Sequence, residues 1–160
     1  MNTTIEKAIL LRRKGRYADS RLLLENLLND QNSSSLAHLH IAWSYDNEGL
    51  EQQAVAHYEA SLSGNLSKSD QYEAIFGLAS TLRSLGRYEE AMASFEKLLV
   101  EFPGKKSFLP FYAMCLYNLG ECKKSVELLL TLLADTTEAK EILDYEKAIR
   151  LYAVNLDRKW

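Results

Sequence analysis

Residues 14–20 read KGRYADS and residues 85–91 read LGRYEEA, so Gly-Arg-Tyr is written twice, 71 positions apart, each time behind a leucine-rich amphipathic run. Two more glycines have comparable surroundings, Gly49 in NEGLEQQA and Gly120 in LGECKKSV, and the series Gly15, Gly49, Gly86, Gly120 steps by 34, 37 and 34 residues. A fixed period of that size signals stacked repeats if other positions keep step. They do. Seven residues before each glycine stand Ala8, Ala42, Ala79 and Ala113, and five after it stand Ser20, Ala54, Ala91 and Ser125. All are small, as two antiparallel helices require where their backbones approach most closely. Large apolar residues also recur: Leu11, Tyr45, Leu82 and Leu116 four before; Leu24, Tyr58, Phe95 and Leu129 nine after; Leu28, Leu62, Leu99 and Leu133 thirteen after.

The glycine can take the left-handed conformation that ends a helix, and the tyrosine two residues on opens the next helix with an apolar ring. The arginine between them reads as a solvated turn residue. Apolar residues recur at helical spacing throughout, with only seven Gly and two Pro, so the chain reads as all-α. Helices are expected over about 3–14, 17–30, 34–48, 51–63, 69–85, 88–101, 107–119 and 122–135. Capping boxes are expected at Thr3 with Glu6, Asp70 with Glu73 and Asp135 with Glu138. The three-residue excess falls in the loop 63–70, and Pro110 sits in a first helical turn, where its missing N–H is no loss. In the tail, Ile142, Tyr145, Ile149, Tyr152, Ala153, Leu156 and Trp160 form one stripe at helical spacing, predicting a single long helix over about 137–158.

Composition limits the function. A net charge of −3 and a pI near 5.7 argue against a nucleic-acid binder, which needs clustered Lys and Arg. No apolar run approaches the roughly 20 residues of a membrane span, and the N-terminus has no secretory pattern. Cys115 and Cys122 have no metal or redox spacing, which fits a reducing compartment, and cytoplasm is the expected location.

With these positions in register, the chain resembles the tetratricopeptide repeat, a 34-residue helix-turn-helix unit. Its third unit carries the resemblance best, through Leu78, Ala79, Leu82, Gly86, Tyr88, Ala91, Phe95 and Pro103. Elsewhere Glu51 and Cys122 replace the tyrosine, and Asn32, Leu66 and Thr137 the closing proline. The resemblance implies one domain spanning 1–160: a right-handed superhelical solenoid of four units, about 2–32, 35–66, 69–103 and 106–136, plus a C-terminal capping helix, about nine helices in all. The whole chain is also similar to a small stand-alone bacterial tetratricopeptide subfamily that ends in a tyrosine-rich helix and an LDR-aromatic close, a likeness that carries no defined biochemical role.

The family geometry implies a concave groove lined by the first helix of each pair, at positions thirteen, ten, six, three and two before each glycine. These are Asn2, Ile5, Ile9, Arg12 and Arg13; Leu36, Leu39, Trp43, Asp46 and Asn47; Glu73, Phe76, Ser80, Arg83 and Ser84; and Ser107, Pro110, Met114, Tyr117 and Asn118. Aromatic, Met and Arg residues are the types enriched where partners dock. The candidate partner-binding residues are therefore Ile5, Ile9, Arg12, Arg13, Leu39, Trp43, Phe76, Arg83, Met114 and Tyr117, with a protein or peptide as partner and a homodimer as the rival expectation. The carboxylate clamp of chaperone-binding repeats is absent, because Ile5, Ile9, Trp43, Glu73 and Gly77 hold its places. No convergent nucleophile, base and charge stabiliser stands out, so no catalysis, metal or cofactor is expected. His38 and His40 point about 200° apart on one helix and cannot share a metal. The histidines read as surface or helix-contact residues, and both cysteines as small buried hydrophobes.

Overall fold

A computed structural model describes residues 3–159, and every regular element among them is helical. In chain order these are α1 Thr3–Arg13, α2 Tyr17–Glu25, α3 Ser34–Glu48, α4 Glu51–Leu62, α5 Lys68–Ser84, α6 Tyr88–Glu101, α7 Leu109–Asn118, α8 Cys122–Thr136, α9 Lys140–Leu143 and α10 Glu146–Ala153. One compact unit runs to Phe102 and a second from Pro103.

The four glycines expected to end helices do so. Gly15, Gly49, Gly86 and Gly120 have φ between 74° and 81°, and no other described residue has positive φ. Each turn closes with the same two bonds. The glycine N–H donates to the carbonyl three residues back, as from Gly86 to Arg83 at 3.0 Å, and the next N–H donates five back, as from Arg87 to Leu82 at 3.0 Å. Arg16 to Leu11, Leu50 to Tyr45 and Glu121 to Leu116 repeat the second bond at 3.0, 3.0 and 2.9 Å. This Schellman pattern satisfies carbonyls that a helix end would otherwise strand. The arginines of the two Gly-Arg-Tyr copies pair with acids three residues on, Arg16 with Asp19 at 2.7 Å and Arg87 with Glu90 at 2.6 Å.

All eight small residues are buried at the helix crossings. Two of them are serines, whose hydroxyls would be costly inside unless paired. Ser20 Oγ donates to the Ala8 carbonyl at 2.8 Å and Ser125 Oγ to the Ala113 carbonyl at 2.7 Å, each across its own hairpin. In the N-terminal unit, Ile5, Ala8, Leu24, Ala37 and Ile41 form a core across α1, α2 and α3, flanked by Ile9, Leu36 and Tyr45.

Several expectations change. Helix α2 stops at Glu25 rather than near residue 30. There Leu27 and Leu28 donate three residues back instead of four, Asn26 Nδ2 bonds the Leu22 carbonyl, and Ser34 Oγ takes the Leu28 carbonyl. Such local bonds compete with the helical ladder. Helix α5 starts earlier than the Asp70 box predicts, because Ser67 is the N-cap: its Oγ accepts from the Asp70 N–H at 3.1 Å. Thr3 lies inside α1 and Asp135 inside α8, so neither caps a helix. Asp135 instead receives Lys106 at 3.2 Å and Arg150 at 2.9 Å. Pro110 is in the first turn of α7, as expected.

The tail is two short helices, not one, so ten helices are seen among the described residues. Thr137 and Ala139 are extended, and α9 ends at Leu143 with Asp144 as its C-cap. Of the predicted stripe only Ala153 is buried; Ile142 and Ile149 are half-buried, and Tyr145, Tyr152 and Leu156 are exposed. Trp160 and Asn2 lie outside the described residues. Helix α10 packs chiefly on α8, the second helix of its hairpin. Cys115 is buried, but Cys122 is exposed at the start of α8 and does not replace a packing tyrosine.

Candidate functional site

Within the N-terminal unit, α1 packs on α3 and α3 on α5, so the three first helices of the hairpins stand side by side. Their groove positions separate by burial. Ile5 and Leu39 are sealed in the core and present no surface, which removes them from the expected wall. Ile9, Trp43, Phe76, Arg12 and Arg83 are half-buried, and Arg13 is exposed. In the C-terminal unit Met114 and Tyr117 are 45% and 65% exposed on α7.

The structure brings Arg12 and Trp43 together. The guanidinium carbon lies 5.1 Å from the indole centroid, and Nη1 donates to Asn47 Oδ1 at 3.2 Å. A cation–π contact of this kind contributes about 0.5–2 kcal/mol, more as water is excluded. Burial and the neighbouring Arg13 charge lower the Arg12 pKa. Its Nε is buried without a hydrogen-bond partner. A half-buried cation whose hydrogen bond goes to a neutral amide is electrostatically suited to an incoming carboxylate.

Behind this face stand His40 and Tyr58, which the groove register did not name, and Asp46, which it did. His40 is 8% exposed, packs edge-on to Trp43 at 4.9 Å, and has an unpartnered Nδ1. Asp46 accepts from the Tyr58 hydroxyl at 2.5 Å and from Thr81 Oγ1 at 3.0 Å. Burial raises the Asp46 pKa against the lowering effect of those two hydroxyls, and burial beside Asp46 raises the Tyr58 phenol. The sequence register did carry a signal for this. Tyr58 occupies the large position nine after Gly49, and Gly77, without a side chain, lets it pass to Asp46.

His40 also sets an acid limit. Burial, then the Arg12 charge, push its pKa down to about 4, with Asp70 opposing. Below pH 6.5 the unfolded chain therefore takes a proton that the folded chain refuses until about pH 4. The stability due to neutral His40 is full above 6.5 and lost as pH falls through that window, by roughly 3 kcal/mol in all. Replacing His40 with Gln is expected to flatten the pH dependence of the urea midpoint between 6.5 and 4; an unchanged slope would contradict this assignment.

Among the described residues no group of three or more His, Cys, Asp or Glu is placed to hold a metal, and no helix is long and apolar enough to cross a membrane. The model of the tetratrico peptide repeat family matches residues 35–156. A search of curated proteins finds no significant match. Among solved structures, a crystal structure of nearly identical TPR-like repeats from a Podosopora anserina protein described as a kinesin light chain superposes with a TM-score of 0.69. It is 20% identical, and the match covers 98% of this chain and 87% of that one. At that identity the likeness speaks for the fold alone, and the fold agrees with the glycine-centred register: the chain belongs to the tetratricopeptide repeat family.

Proposed function

We propose that this chain is a non-enzymatic recognition module, binding an extended or helical segment of a partner protein on the α1, α3 and α5 face of its N-terminal unit. Repeats of this family are generally protein–protein interaction modules. The observation that supports this face is the Arg12–Trp43 stack: a half-buried cation held by an indole and a neutral amide, beside the half-buried Phe76 ring. Such a face suits a segment that offers an acidic group next to an apolar one. Met114 and Tyr117 give the C-terminal unit a second apolar surface of the same type.

Replacing Trp43 and Phe76 together with Ala is expected to abolish capture of the partner and, since both rings are largely covered, to lower the melting temperature by several degrees while the helical circular dichroism at about 25 °C is kept. Retention of the partner by the double variant, checked by affinity capture from the native host and mass spectrometry, would remove the face from consideration.

A second reading, self-association, is favoured by α8. In the N-terminal unit the large residues nine after each glycine, Leu24, Tyr58 and Phe95, are 0–1% exposed, whereas Leu129 at the same position is 42% exposed, and Leu133 one turn on is exposed as Leu99 is at its own position. With Val126, Leu129 and Leu133 form an apolar stripe on one helix face that another copy would cover. Light scattering separates the readings, because a monomer from micromolar to near-millimolar concentration rules out the dimer.

A further inference from the structure

His38 on α3 and His57 on α4 lie with their Nδ1 atoms 2.9 Å apart, their ring centroids at 5.1 Å and their planes tilted by 40°. One Nδ1 donates and the other accepts, so the two rings share a single proton across the hairpin. We propose that this pair is a two-histidine clamp for a divalent transition-metal ion of the copper–nickel class, which replaces the hydrogen bond and bridges α3 to α4.

The spacing selects the metal. With metal–nitrogen bonds of about 2.0–2.1 Å, two nitrogens at this separation subtend an angle of about 90°. That is the angle of square-planar or octahedral coordination, preferred by Cu(II) and Ni(II). Tetrahedral zinc needs the nitrogens roughly 3.3 Å apart and would have to spread the hairpin. To bind, the donor ring passes its Nδ1 proton to its own Nε2 through solvent, and each lone pair swings by about 45° toward the common ion. Nothing is oxidised, and no net proton is released at neutral pH. The remaining coordination positions go to water.

The surroundings favour the neutral rings that a metal needs. Burial lowers the pKa of both, and each is half-buried rather than sealed, which leaves a route for the ion. The cation whose charge acts on His57 is Arg21, and Glu48 offsets it at 2.7 Å. The His57 ring is braced on Tyr45 at 5.5 Å, and Tyr45 carries Arg21 over its face at 4.2 Å. These contacts hold the His57 ring against the hairpin, so that binding has only its short swing toward the ion left to order.

The test uses NiCl2 and CuSO4 as probes of the full chain. Calorimetry should show one Ni(II) per chain, and a hundredfold excess over Kd should raise the melting temperature by about 5–10 °C. His38→Gln and His57→Gln should each weaken binding at least tenfold, with unchanged helical circular dichroism. Binding of Ni(II) by the double variant as tight as by the wild type would overturn the proposal. The wild-type protein supplies a measurement that needs no variant. Ni(II) should first broaden the imidazole NMR signals of His38 and His57, and Cu(II) should give a spectrum with two equatorial nitrogens. Broadening that begins elsewhere, or a spectrum of one nitrogen, also overturns it.

Discussion

Replacing Phe95 with Ala is expected to cost about 4 kcal/mol, the range found when a fully buried phenylalanine is deleted and the space cannot close. Phe95 has no exposed surface and stands nine residues after Gly86, at the position that fills the layer between helices. Leu129 stands nine after Gly120, so sequence register alone makes the two equivalent. It is 42% exposed, and Leu129→Ala should therefore cost less than about 1.5 kcal/mol, since only the buried part of the side chain loses its transfer free energy. Urea denaturation followed by circular dichroism gives both values. Equal costs would mean that register, not burial, decides the energetics.

The second large effect reverses the usual rule for helices. Gly77 lies inside α5, where Gly to Ala ordinarily stabilises by roughly 1 kcal/mol. Here a Cβ would fall 2.4 Å from Tyr58 Cζ and 2.5 Å from its Cε1 and hydroxyl. Those atoms belong to a side chain with almost no exposed surface, whose hydroxyl is committed to Asp46, so the ring cannot step aside freely. Gly77→Ala should destabilise by about 3 kcal/mol, the upper range for forced overpacking. Shortening the obstructing ring in a Gly77→Ala, Tyr58→Leu double variant should recover part of the loss, giving a coupling of about 1 kcal/mol or more. Additive losses would show that the two residues do not meet as described.

The pattern of hairpins was legible because it rests on local rules. A positive-φ glycine, a small pair at the crossing and a large residue one turn outward each leave a periodic mark, and all four turns close as that mark predicts. The tail was not legible in the same way. Its apolar spacing fitted one helix, yet spacing does not report where a chain must bend to reach α8, and Asp144 ends the first piece after a single turn. For the candidate site, the family positions found Arg12 and Trp43 but also named Ile5 and Leu39, since a groove position and a core position differ only in what packs over them. The contact between His38 and His57 did have a sequence signal. One turn outward from the small pair Ala42 and Ala54, eleven before and eight after Gly49, the register sets these two residues opposite each other.

The four turns also bear on how the chain comes to be folded. The bonds that close each hairpin join residues no more than 12 apart, from the Schellman pair to the Ser20–Ala8 and Ser125–Ala113 hydroxyl bonds. Contacts this local form in microseconds, whereas a ribosome adds only about 5–20 residues per second. A 34-residue hairpin thus emerges over a few seconds and can close long before its successor is complete. Within the N-terminal unit assembly then proceeds as a sequence of short equilibria, each new hairpin finding its predecessor's crossing residues already in place. Ribosome-bound chains cut at successive glycines would show protection arriving in steps of one repeat.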